Sequence, residues 1–238
     1  MIICIETATR ICSVALCDLQ NVLVVKEDDG ERSHASVLTI LIMDVLKEAG
    51  LTPMDLNAVA VSKGPGSYTG LRIGVSVAKG ITYAASKPLI GIGTLQTMYN
   101  GIILDAHVKY GTDSDTIFCP MIDARRMEVY YSLYDAHGKI VKDVNAGIID
   151  KESFLDILDK QKMLFFGDGA AKCVSIIDHP NAIFVDDYYI SAAHMHQSVI
   201  KAFKNNAFED IAYFEPFYLK DFISTIPRKN FLLKGKTD

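Results

Sequence analysis

Residues 63–74, Lys-Gly-Pro-Gly-Ser-Tyr-Thr-Gly-Leu-Arg-Ile-Gly, constrain the fold more than any other stretch of this chain. An apolar run at 58–61 precedes them and reads as a buried strand, and a helical pattern follows over 68–85. Gly64-Pro65-Gly66 admits no regular structure and makes a tight turn. Ser67 can then cap the helix by accepting a backbone N–H. Such strand–turn–helix junctions often point bare amides at an anion. A nucleotide phosphate loop is excluded, because Gly70 is followed by Leu71 and Arg72 and not by the lysine and hydroxyl that chemistry needs. The dinucleotide pattern fails too, with Thr69 where its third glycine should stand.

Within the helix, Gly70, Gly74 and Ala78 recur every four residues and share one face. An interior glycine costs about 1 kcal/mol relative to alanine, so a face kept this flat suits close approach by another backbone. Contact with a partner helix is the expectation; packing on the chain's own sheet and a ligand loop are the alternatives. A second helix, over 33–49, carries Val37, Leu38, Ile40, Leu41, Ile42, Met43, Val45 and Leu46. That apolar arc is too wide for a helix that meets only one sheet.

The succession of elements sets the architecture. A meander of strands (2–5, 11–19, 22–26) leads into helix 33–49, strand 57–62, helix 68–85, strand 89–92 and helix 94–107. After a polar break at 111–115 the order begins again, with strands at 117–122, 129–134 and 139–148. Helices at 151–159, 168–178 and 191–205 and strands at 163–166 and 182–185 complete it. The expected fold is α/β, of the actin-like, sugar-kinase and Hsp70 ATPase (ribonuclease H-like) type. Its expected parts are an N-terminal lobe at 1–110, a C-terminal lobe at 111–225 and a flexible basic tail at 226–238. Each lobe places an acid at the end of its first strand, Glu6 and Asp123, and ligands in such sheets bind beyond the strands' carboxyl ends.

With a formal net charge of −5, the chain alone makes a poor nucleic-acid binder. Half of its residues are hydrophobic, which suggests buried surface beyond one core. Five scattered cysteines without a Cys-x-x-Cys pair, and no apolar run long enough to span a bilayer, predict a cytoplasmic protein with no membrane contact.

Four stretches carry a family resemblance. They are Ile5-Glu6-Thr7-Ala8-Thr9 with Cys12-Ser13-Val14-Ala15-Leu16; the 64–74 stretch; Ile122-Asp123-Ala124-Arg125 with Glu128-Val129-Tyr130; and Glu215-Pro216-Phe217-Tyr218-Leu219-Lys220. In order and spacing the chain resembles the TsaB (YeaZ) family, subunits of the bacterial machinery that makes threonylcarbamoyladenosine in tRNA. The resemblance implies a scaffold without catalytic activity or cofactor. It implies a TsaD-like catalytic partner, which transfers the threonylcarbamoyl group to the N6 of the adenosine next to the anticodon. It also implies a TsaE-like ATPase docking on the pair and tRNA met only within the complex, and the chain alone is expected to form a homodimer.

The family's interface uses the two N-lobe helices. The expected partner face is therefore His34, Val37, Leu38, Leu41 and Val45 from the first, with Gly70, Leu71, Gly74, Val75 and Ala78 from the second. His34 falls where the sister subunit has its first metal histidine, but Leu38 stands four residues on, so no metal is expected. A degenerate nucleotide cleft would be marked by Glu6, Thr7, Asp123, Gly167 and Gly169. Its first turn, residues 6–10, has no glycine to let backbone amides approach a phosphate. The alternatives are a metal-dependent glycoprotease-like peptidase, which lacks its second histidine, and an actin-like-fold ATP-dependent kinase, which lacks that glycine.

Overall fold

The computed structural model describes residues 1–31 and 33–219. The expected tail at 226–238, the end of the second lobe and Lys220 of the fourth motif lie outside the described residues.

The first half runs β1 (Ile2–Glu6), β2 (Cys12–Cys17), β3 (Val22–Asp28), α1 (His34–Glu48), β4 (Ala58–Gly64), α2 (Tyr68–Ala85), β5 (Leu89–Gly93) and α3 (Thr94–Tyr110). Its sheet has the order β3-β2-β1-β4-β5. The meander is antiparallel, and β4 and β5 add in parallel. The second half runs β6 (Ile117–Asp123), β7 (Glu128–Tyr134), β8 (Ile140–Ile148), α4 (Leu155–Leu158), β9 (Met163–Phe166), α5 (Asp168–Ala171), β10 (Ala182–Phe184) and α6 (His196–Lys204). Its sheet order, β10-β9-β6-β7-β8, repeats the first arrangement element for element.

Burial follows from position in the sheet. β1 and β2 are central, so every residue is buried and the sequence is continuously apolar up to Glu6. β3 lies at the edge, and its residues alternate between half-buried and exposed as far as Glu27, with Asp28 buried. On one face of the first sheet, Ile3, Ile5, Val14, Leu16, Val59 and Val61 pack against α1 and α2. From α1 come Val37, Leu38, Leu41, Ile42, Val45 and Leu46, each worth about 1.5–3 kcal/mol when fully buried.

One further face of each sheet is covered by an element of the other half. Ile2, Cys4, Ala15, Cys17, Ile90 and Ile92 of the first sheet pack on Val199 and Ile200 of α6 and on a 3₁₀ turn at Ala192–Met195. Leu95, Met98, Tyr99 and Ile102 of α3 instead pack on Phe118, Ile122, Tyr134 and Phe166 of the second sheet. The two crossing segments touch. Asn100 Nδ2 donates to the carbonyl of His194 at 3.2 Å and to Ser198 Oγ at 2.9 Å, and the His194 ring fills the space beside Gly101.

Two expected helices shrink. The one expected at 151–159 is only Leu155–Leu158, because Phe154 takes a left-handed φ of 68° and turns its ring onto Tyr131 and Phe165. The one expected at 168–178 ends at Ala171. Ser33 sits at the start of α1 but bonds Ser36 Oγ at 3.1 Å and caps nothing, whereas Ser67 accepts from the Gly70 N–H at 3.2 Å as expected.

Candidate functional site

The carboxyl ends of the parallel strands bring together Glu6, Thr7, Ser62 and the turn after β4. Glu6 is completely buried. Its Oε1 accepts from the Ala8 N–H at 2.7 Å, while Oε2 has no hydrogen-bond partner. Burial pushes its carboxyl up to about 7, against the lowering effect of the bond from the Ala8 N–H. Thr7 is likewise buried, its N–H bonded to Ser62 Oγ at 3.3 Å.

Asp123, the corresponding acid of the second lobe, is in a different state. It is partly exposed and ion-paired to Lys172, and its Oδ1 accepts from the Arg125 N–H at 2.7 Å. Its backbone N–H donates to Asp168 Oδ1 at 3.0 Å, and burial raises the Asp168 carboxyl above the usual range. Lys172 also reaches the carbonyls of Arg126 at 2.9 Å and Glu128 at 2.6 Å. Asp123 is thus spent on holding a turn. The glycines of the expected nucleotide cleft are spent on packing as well. A Cβ at Gly167 would strike the Met121 carbonyl oxygen, and one at Gly169 would come within 2.8 Å of the Ile122 backbone. Both serve the close approach of α5 to β6.

The expected partner face needs correction. Val37, Leu38, Leu41, Val45, Leu71, Val75 and Ala78 are all buried in their own lobe. His34 is half-buried, with Nε2 at 3.0 Å from the Arg10 carbonyl oxygen. The Gly70–Gly74 face does meet another backbone closely, but that backbone is the chain's own. A Cβ at Gly70 would collide with the Thr7 carbonyl oxygen, and one at Gly74 with the Thr7 hydroxyl. Periodicity shows that residues share a face; it does not show which way the face points.

The outward faces of the same helices carry a second pattern. On α2 these are Thr69, Arg72, Ser76, Gly80 and Ala84, exposed, beside half-buried Ile73 and Val77. Gly80 lies mid-helix, and a Cβ there would meet nothing within 4 Å. Among the described residues nothing requires this glycine. Exposed apolar side chains stand on the same two helices: Tyr83 at 82% on α2, and Ile40 at 44% and Met43 at 64% on α1. The signal was present in the sequence as Ser76, Gly80 and Ala84, again four apart.

Among the described residues, no group of three or more His, Cys, Asp or Glu could hold a metal ion, and no helix is long and apolar enough to cross a membrane.

A family model described as TsaD, tRNA N6-adenosine threonylcarbamoyltransferase, matches residues 28–235. The chain is 38% identical over 133 residues to the tRNA threonylcarbamoyladenosine biosynthesis protein TsaB of Escherichia coli, covering 56% of this chain and 54% of that protein. With the Bacillus subtilis protein of the same name it shares 29% identity over 170 residues, 70% of each. The match thus spans about half the length of the first of these relatives and more of the second. The fold is that of the solved YeaZ from Pseudomonas aeruginosa, with TM-score 0.75 and 24% identity over 92% of this chain and 99% of that one.

Proposed function

Because the chain belongs to the threonylcarbamoyladenosine family, on its TsaB (YeaZ) branch, we propose that it is an accessory, non-catalytic subunit in the biosynthesis of that modified nucleoside in tRNA. Its partner is a TsaD-like catalytic subunit, with a TsaE-like ATPase joining the pair and tRNA bound only by the assembly. Its place of work is the cytoplasm. The acids of the cleft support the non-catalytic part: Glu6 is sealed in and Asp123 is committed to Lys172.

The observation that carries the proposal is Gly80. An exposed mid-helix glycine facing open space weakens the isolated chain by about 1 kcal/mol relative to alanine. Its use is external. It lets a second helix approach α2 closely, flanked on α2 by Ile73, Val77 and Tyr83. The same two helices serve as the interface as the resemblance implied, but through their outward residues. Without the catalytic partner, a second copy takes the same face.

Size-exclusion chromatography with light scattering tests this. The purified chain mixed with its cognate TsaD-like subunit should give a one-to-one complex in place of a homodimer. Gly80→Arg should abolish both assemblies while the chain itself stays folded. Gly80→Ala should raise stability by up to about 1 kcal/mol. Species that ignore each other at micromolar concentration and low salt would overturn the proposal.

A further inference from the structure

The hairpin between β6 and β7 is built in an unusual way. Ala124 and Glu128 pair, the Ala124 N–H donating to the Glu128 carbonyl at 3.1 Å, and the Glu128 N–H closes the turn on the Arg125 carbonyl at 3.2 Å. Arg125 and Arg126 inside it both have positive φ, 69° and 51°. Left-handed backbone disfavours any residue with a Cβ, and glycine would adopt it without strain. Two successive arginines in that region persist because the surroundings hold them there. The holding group is Lys172, which ties together the Asp123 carboxylate and the carbonyls of Arg126 and Glu128, while Asp123 fixes the Arg125 N–H.

Both arginines are exposed. Among the described residues neither guanidinium has an ion pair, since the nearby Asp123 is already taken by Lys172. Two cations thus stand on a pinned loop just beyond the carboxyl end of β6, past Asp123, the counterpart of Glu6. Guanidinium groups are planar and weakly hydrated, and they bind phosphate oxygens in pairs. The chain's overall charge of −5 rules out a broad electrostatic footprint but not a single contact of this kind.

We propose that the Arg125–Arg126 turn is a phosphate contact for the tRNA backbone, made when the chain sits in its assembly. This inference rests on the function proposed above. A pair of preordered arginines loses little conformational freedom on binding, so it positions the RNA without reading its sequence.

The test is binding of an unmodified tRNA transcript to the reconstituted complex over a series of salt concentrations. Arg125→Ala with Arg126→Ala should weaken binding and flatten the plot of log K against log salt by ~0.7–0.9 for each lost contact. The double glycine variant separates contact from structure. It should lose the same slope while its melting temperature stays level or rises, whereas a merely structural turn would not lose tRNA affinity as it relaxes. The double lysine variant should keep most of the slope. An assembled complex whose slope is unchanged overturns this inference alone. Unchanged tRNA binding with loss of a protein subunit also overturns it and assigns the turn to an acidic protein surface. If the parent chain fails to assemble at all, the function proposed above falls first.

Discussion

Gly70→Ala should destabilise the first lobe by about 3 kcal/mol, the upper end of the usual cost of overpacking a core. The added methyl would overlap the Thr7 carbonyl oxygen, with His34 Nδ1 at 3.1 Å and Ser67 Cβ at 3.3 Å on its other sides. None of these can yield cheaply. Thr7 continues β1 and bonds Ser62, and the Ser67 N–H donates to the Ala8 carbonyl at 2.7 Å. The whole start of α2 would have to lift from the β1–β2 turn. Chemical denaturation of the chain alone measures the effect, and a midpoint equal to the parent's would show that α2 does not approach Thr7 this closely. Gly74→Arg should fail in the same way, by unfolding, so it cannot report on a partner surface. The contrast with Gly80→Ala, further along the same helix, is the sharpest test of which face of α2 looks inward.

Glu6→Gln should stabilise the protein at pH 8 by up to about 3 kcal/mol and change little near pH 4. In the folded chain the Glu6 carboxyl is raised from an ordinary value of 4.5 to about 7. The folded state therefore holds a proton that the unfolded state releases, and stability attributable to this group falls as pH rises from about 4.5 through 7. Each tenfold tightening of the hold on that proton is worth about 1.4 kcal/mol, which sets the limit for a group as buried as this one. Glutamine keeps an oxygen to accept from the Ala8 N–H and carries no charge to bury. Melting temperatures of parent and variant across pH 4–9 should converge at the acid end and separate above neutrality. Parallel curves would mean that Glu6 is ionised inside the fold, stabilised by groups in the cleft.

Much of this was legible in the sequence, for physical reasons that vary by element. Gly64-Pro65-Gly66-Ser67 encodes its turn and cap locally, and α2 begins at Tyr68 as expected. The apolar runs of β1, β4 and β9 identify central strands because both their faces are covered. The shortening of α5 and the turn at Phe154 were not legible. They are decided by contacts distant in sequence, from Lys172 to the β6–β7 turn and from the Phe154 ring to Tyr131. At the candidate site the helices could be named, but their outward residues could not. α2 has small residues at four-residue spacing on both sides, and only the position of Thr7 tells the inner ladder from the outer one.

The reciprocal covering of the sheets by α3 and α6 also governs the order in which the chain can finish folding. A ribosome delivers the first sheet complete by residue 93, yet the segment that covers its second face ends only at residue 204. At 5–20 residues per second that interval is roughly 5–20 s. Throughout it, the nascent chain carries Ile2, Cys4, Ile90 and Ile92 uncovered, while α3 waits for a sheet not yet made. The two halves therefore mature together only once α6 has been made, and a cell making this protein must shield an apolar sheet face until then.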